Sequence, residues 1–258
     1  IDSKASINVT YYGFNHNSEV FKDRRVRRAF NLAIDREEII ESWLQGDGWA
    51  TKNGFVPEMV DYPAEKVKGY KFNTEEAKNL MLEAGYSKKN PFPEIDLYVN
   101  TTEGSFVHQL AQGVASSLKQ NIGVTANIVL CSINERDNKI ATGDAVFWRA
   151  GWVADYPDPE NFLSLFYSGN ENNRRTNDFG YVNEEFDALY EEALNTTNEK
   201  ERMEILAKCD QIIIDDAVVL PIMTEDFVTM VNLKIRRFVT DELEQIDFST
   251  IFIKEINN

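Results

Sequence analysis

Segments with the period of a strand alternate with segments with the period of a helix along most of this chain. That alternation restricts the fold more than any other feature. Val9–Phe14 is rich in β-branched and aromatic residues and reads as a strand. From Asp23 to Leu44, Val26, Phe30, Ala33 and Ile34 recur at helical spacing, followed by Ile40, Trp43 and Leu44, so the run is helical, as one helix or two. Thr74 caps a helix through Ala77, Leu80, Met81 and Ala84, which Gly85 ends. Ile95–Val99 is a strand, Ser105–Asn121 a helix, Val124–Leu130 a strand and Asn134–Ala141 a short helix, before a strand around Val146. Strands alternating with helices place the chain in the α/β class. Glu184–Leu194 and Glu199–Ile214 add two helices, and Asp35 with Glu38 and Asn198 with Glu201 form capping pairs. The end changes character, because Val218–Met223, Phe227–Val231 and Ile251–Ile253 read as strands with little helix between. Residues 46–73 carry Gly46, Gly48, Gly54, Pro57, Pro63 and Gly69, so they form a long irregular connection of the kind that often lines binding sites.

The totals exclude several classes. A chain of 258 residues with 43% hydrophobic content can build one large core or two smaller ones. With 27 basic and 43 acidic residues the net charge is −16, which argues against nucleic acid and against anionic membrane surfaces. No run approaches the roughly 20 apolar residues of a membrane span. The chain shows no signal peptide, opens at Ile1 and reaches its first strand almost at once, as a trimmed chain would. GxSxG, HExxH, P-loop and GxGxxG motifs are absent, and His16 and His108 are far apart, so neither catalysis nor a metal site is indicated. Cys131 and Cys209 do not make a disulfide framework. Cys209 shares an apolar helix stripe with Ile205, Leu206, Ile212 and Ile213 and reads as a buried thiol, with a bond to Cys131 left open.

The stretch FWRAGWVADYPDP, Phe147–Pro159, carries the most chemistry. Its start is apolar enough for a buried strand, and its prolines cannot continue a ladder. A strand that runs straight into Trp, Arg and Asp reads as the lip of a ligand crevice, because open α/β sheets place crevices at the carboxyl ends of strands. Asp158 before Pro159, with Phe162, Leu163 and Leu165 following, reads as a helix start. Trp148 belongs to the core. Arg24, Arg25, Arg27 and Arg28 alternate with Val26, Ala29 and Phe30, which predicts a solvated helix face.

Blocks of this sequence resemble the solute-binding proteins of oligopeptide and dipeptide ABC importers, the bacterial solute-binding protein family 5. The blocks are YYGFN at 11–15 with FKDRRVRRAFNLAIDREEII at 21–40, YKFNTEEAKNLMLEAGY at 70–86, AGWVADYPDPENFLSLF at 150–166 and FGYVNEEFDALYEEAL at 179–194. Their order along the chain argues against chance. The resemblance implies a periplasmic-binding-protein type II-like lobe, a mixed sheet flanked by helices with a returning C-terminal tail. All matched blocks belong to the C-terminal part of the family protein, so residues 1–220 are expected to be the second lobe. Residues 221–258 are then a tail returning toward a first lobe that would precede Ile1. It also implies that Ile1–Thr10 and Val218–Val231 lie side by side at the lobe boundary.

Function follows from the resemblance as an expectation. Family members close two lobes around a peptide and deliver it to an ABC transporter permease, outside the cytoplasmic membrane, in some cases as lipoproteins. They do so without a cofactor, and the expectation here is a monomer that binds no nucleic acid. Asp155 matches the Asp that meets the peptide's ammonium, against the alternative of a carboxylate bonded to loop amides. Arg149 matches an Arg that in some members holds the peptide carboxylate. Period-two alternation, however, sets Arg149 opposite Trp148 and Trp152, so that only a bend near Gly151 would bring Arg149 and Asp155 together, and a structural ion pair is the alternative. Trp152 is a crevice wall or a core residue. Related proteins carry oligosaccharide, nickel or haem, which stand as alternative ligands. A hydrolase or transferase site in the 46–73 loop is the alternative of another class.

Overall fold

A computed structural model describes residues 2–169, 177–241, 243 and 245–254. In chain order its first part holds β1 (Asp2–Ala5), β2 (Asn8–Phe14), α1 (Arg24–Leu32), α2 (Arg36–Trp43), β3 (Trp49–Ala50), α3 (Thr74–Glu83), β4 (Ile95–Asn100), α4 (Phe106–Ile122), β5 (Ala126–Cys131) and α5 (Ile133–Ala141). There follow β6 (Phe147–Val153), α6 (Glu160–Leu163), α7 (Glu184–Asn195), α8 (Glu199–Asp215), β7 (Val219–Thr224), β8 (Asp226–Thr229), β9 (Ile235–Arg236) and β10 (Phe252–Ile253).

The main sheet has six strands in the order β3-β7-β2-β6-β4-β5. β4 is parallel to β5 and β6, whereas β2 runs antiparallel to β6 and β7. The sheet is therefore mixed, as the α/β reading expected, and each face has its own core. β2 is buried along its whole length because it lies centrally in the sheet and between these two cores. Its side chains alternate between them. Val9 and Tyr11 join Trp148, Phe162, Phe186 and Leu206 on the side of α6, α7 and α8. Tyr12 and Phe14 join Phe30, Leu110, Phe147 and Leu220 on the side of α1 to α4. The Trp148 indole lies over Gly13, where a Cβ would stand 2.5 Å from the ring. Trp148 is thus a core residue, as its sequence context indicated.

The helical run at 23–44 resolves into two helices, capped by Asp23 and Asp35. α3 starts at Thr74, but its cap is Asn73, whose side-chain oxygen accepts the Glu76 amide at 3.1 Å. The cap is one residue earlier than predicted, because Asn is the stronger N-cap of the two. The helix expected at Asp158 starts one residue later than predicted, with Pro159 as the N-cap of α6. Asp158 stands just before it, its Oδ1 accepting the Glu160 amide at 2.8 Å while Arg202 grips the same carboxylate at 2.6 and 2.9 Å.

Arg27 corrects the expectation of a wholly solvated basic face. It is 5% exposed and donates to the carbonyls of Phe21, Asp216 and Ala217 at 2.5, 2.9 and 3.1 Å. Carbonyls just past a helix end have no N–H partner in the helix, and the planar guanidinium supplies donors to those that follow α8. Arg24 and Arg25 do lie at the surface and Arg28 is half-buried; they pair with Asp216, Asp23 and Glu76. Cys209 is buried in the core, Cys131 is half-buried on β5, and both thiols are free.

The chain enters and leaves through paired strands. β1 pairs with β8, Asp2 opposite Thr229 and Ala5 opposite Asp226, and β2 pairs with β7 with a register shift between Thr10 and Tyr11. The expected side-by-side placement of the entry and exit segments holds for the described residues. Ile1 lies outside them.

Candidate ligand-binding site

Because β4, β5 and β6 are parallel, their carboxyl ends, Asn100, Cys131 and Val153, lie at one edge of the sheet. β2 begins at that edge, with Asn8 opposite Val153. β4 and β6 pair only at Leu97–Phe147 and Tyr98–Trp148, and beyond that the strands part. Arg136 from α5 fills the gap, donating to Asn100 Oδ1 at 2.6 Å and to the Arg149 carbonyl at 3.1 Å. That carbonyl is thereby partnered although the two strands no longer pair.

Arg149 and Trp152 line one cavity of about 390 Å³ at this edge, together with Asn8, Thr10, Gly151 and Glu225. Arg149 lies on the Thr10–Tyr12 face of the sheet. Its Nη2 donates to Thr10 Oγ1 at 2.9 Å, and Glu225 Oε1 is 4.0 Å away. Burial pushes its guanidinium below the ordinary value, opposed by the neighbouring Tyr12 and Glu225. Trp152 packs against the opposite core, and its indole N–H donates to Asn161 Oδ1 at 2.7 Å.

Asp155 is exposed just past the end of β6. Its amide donates to Asn161 Oδ1 at 3.2 Å, and Asn161 Nδ2 donates to its Oδ2 at 3.4 Å. Asn161, itself 4% exposed, therefore ties Trp152 and Asp155 into one cluster. Arg149 does not join it. The β2–β6 register runs unbroken from Phe147 to Val153, so no bend at Gly151 turns Arg149 to the other face. The sequence reading missed Asn161, Thr10, Glu225 and Arg136. A helical Asn and a strand Thr carry no signal, and Glu225 comes from a segment 215 residues beyond Thr10.

A second cavity of about 380 Å³ adjoins the first, sharing Glu225 and Asp226 as a wall. Its other side is the 49–58 part of the long connection, including Trp49, whose indole donates to Asp226 Oδ1 at 3.2 Å. Both histidines serve structure. His16 Nε2 donates to the Val218 carbonyl at 2.9 Å, and burial holds its pKa down to about 4. His108 Nδ1 accepts the Gly104 amide at 3.0 Å. Among the described residues no group of three His, Cys, Asp or Glu could hold a metal ion, and no helix is long and apolar enough to cross a membrane.

A mixed sheet covered on both faces, with a polar crevice at strand ends and a paired ribbon for entry and exit, is the architecture of a lobe of the type II periplasmic binding proteins. Residues 1–174 match the family described as bacterial extracellular solute-binding proteins, family 5 middle, and the chain belongs to that family. It is 31% identical over 233 residues to the oligopeptide-binding protein OppA of Bacillus subtilis, covering 88% of this chain and 42% of that protein. It is 32% identical over 219 residues to the heme-binding protein A of Haemophilus influenzae, covering 84% of this chain and 39% of that protein. Haemophilus influenzae OppA, solved in complex with RPPGFSPFR, superposes with a TM-score of 0.84 at 25% identity, over 98% of this chain and 50% of that one. The oligopeptide-binding protein OppAIV of Borrelia burgdorferi does so at 0.83 and 28%, over 98% of this chain and 49% of that one. The chain thus spans half or less of the length of these relatives.

Proposed function

We propose that this chain is the second lobe, residues 1–220, and the returning tail, residues 221–258, of a two-lobed solute-binding protein for peptide import. The protein captures a peptide between its lobes and presents it to an ABC transporter permease outside the cytoplasmic membrane. It works as a monomer, by binding and release without turnover. β7 runs on to Thr224, so the sheet of this lobe extends slightly past residue 220.

The single observation that carries this reading is the Trp152–Asn161–Asp155 cluster at the sheet edge. Buried Asn161 holds an exposed carboxylate and an indole side by side. An exposed carboxylate held by a buried amide side chain suits a peptide ammonium, with which it forms a charge-assisted hydrogen bond once a second lobe excludes water. Trp152 supplies an apolar wall beside it, and Arg149 a cationic group in the adjoining cavity. Oligopeptide- and dipeptide-binding relatives support peptide over other solutes.

Calorimetry on the two-lobed protein with a free-amine peptide and its N-acetylated form tests the reading. Wild type should bind the acetylated form poorly, and Asp155→Ala should barely distinguish the two. Loss of one partner of a buried charged pair costs about 3–5 kcal/mol. Equal binding of both peptides by the wild type would remove Asp155 from the site.

A further inference from the structure

Arg149 already has a carboxylate partner within the chain. Its Nη2 donates to Thr10 Oγ1 at 2.9 Å, and Thr10 Oγ1 donates in turn to Glu225 Oε1 at 2.9 Å. Glu225 is held in place for this. Asn8, 7% exposed, donates from Nδ2 to the Glu225 carbonyl at 2.7 Å and accepts the Glu225 amide on Oδ1 at 2.9 Å. Gly151, opposite Thr10 in the ladder, lies against the Arg149 guanidinium: a Cβ there would stand in ordinary contact with Nη2, at 3.4 Å. Thr10, Arg149, Gly151 and Glu225 all line the same cavity.

A ligand carboxylate brought to Arg149 would stand beside the carboxylate of Glu225. Like charges at that range repel, and the attraction of the guanidinium is already shared. A neutral backbone amide meets no such opposition. We propose that Glu225 is a specificity-determining residue: it turns a free peptide carboxylate away from Arg149 and favours peptides that present uncharged backbone there. The ligand class is then peptides long enough to run past this point, or blocked at the carboxyl end. The inference rests on the peptide reading above.

The test is calorimetry on the two-lobed protein with di- to penta-alanine, each as the free acid and as the carboxyl amide. At the length whose end reaches Arg149, wild type should bind the amide at least as tightly as the acid. Glu225→Gln should move that ratio toward the acid by up to about fivefold, the order expected for a half-exposed charge pair. Glu225→Asp, which keeps the charge, should keep the wild-type preference for the amide, and Arg149→Met combined with Glu225→Gln should abolish the shift. A ratio that Glu225→Gln leaves unchanged at every length, or a wild type that prefers the acid, overturns the role of Glu225 and leaves the peptide reading standing. Failure of every acid and amide to bind overturns the peptide reading, and this inference falls with it.

Discussion

The carboxylate of Asp210 on α8 accepts the Phe55 amide at 2.8 Å, across 155 positions of the chain. It also accepts the Tyr62 hydroxyl at 2.8 Å and the Val56 amide at 3.3 Å, and it is fully buried. Gly54 makes this approach possible, because a Cβ there would stand 1.9 Å from Asp210 Oδ2. The segment held in this way walls the cavity beside Trp49. One buried carboxylate thus shapes the rim next to the candidate site.

Burial pushes the Asp210 carboxyl up from 3.8 to about 6, with its hydrogen bonds opposing. A carboxyl raised on folding adds stability that is fully present below its ordinary value and is lost as pH rises through the folded value. Asp210→Asn cannot titrate. Relative to that variant, wild type should lose about 2–3 kcal/mol of stability between about pH 4 and about pH 7. Urea midpoints across this window measure the difference, and a flat difference would mean that the buried carboxyl does not titrate there.

Arg27 and Arg28 are neighbours in sequence, one buried and the other half-buried. Arg27→Ala leaves the carbonyls of Phe21, Asp216 and Ala217 without their buried donor. The expected cost is about 2–4 kcal/mol. Arg28 is half-buried and pairs with Glu76 at 3.6 Å, so Arg28→Ala should cost about 1 kcal/mol or less. Chemical denaturation of both variants checks the contrast, and equal losses would contradict the buried position of Arg27.

Asn161→Ala removes the acceptor shared by the Trp152 indole and the Asp155 amide. The expected loss of stability is about 1–3 kcal/mol, with faster hydrogen exchange at the Trp152 indole. Peptide affinity of the two-lobed protein should fall as well, because Asp155 and Trp152 lose their common anchor. Unchanged indole exchange would show that Asn161 does not hold the cluster.

The chain as it stands should fold but bind di- to pentapeptides weakly or not at all. One lobe leaves the ligand's charges in water, where an ion pair contributes only about 0–1 kcal/mol. Submicromolar binding in calorimetry would show that this lobe contains a complete site.

Much of this molecule is determined locally, and those parts were legible in the sequence. The period of Val26, Phe30 and Ala33, the caps at Asp35 and Asn198 and the stop at Gly85 depend on neighbours within a few residues. So does the start of α6 at Glu160, just past Asp158 and Pro159. Trp148 was assigned to the core by its apolar strand, and the alternation that set Arg149 opposite Trp152 is the alternation in the sheet. Residue chemistry also placed Asp155 and Trp152 at the end of a strand.

What joins distant segments was decided only by tertiary structure. Arg27 looks like its surface neighbours in sequence, and it is buried because the end of α8 arrives over it with unpartnered carbonyls. Asp210 sits on a helix and shows its partners only when the loop at Phe55 folds against it. Thr10, Arg149 and Glu225 meet because β2 lies between β6 and β7, an order of strands that no local pattern encodes. Helical and strand periods are properties of a few consecutive residues. Burial, charge pairing and the shape of the crevice are properties of which surfaces come together, and those depend on the whole sheet.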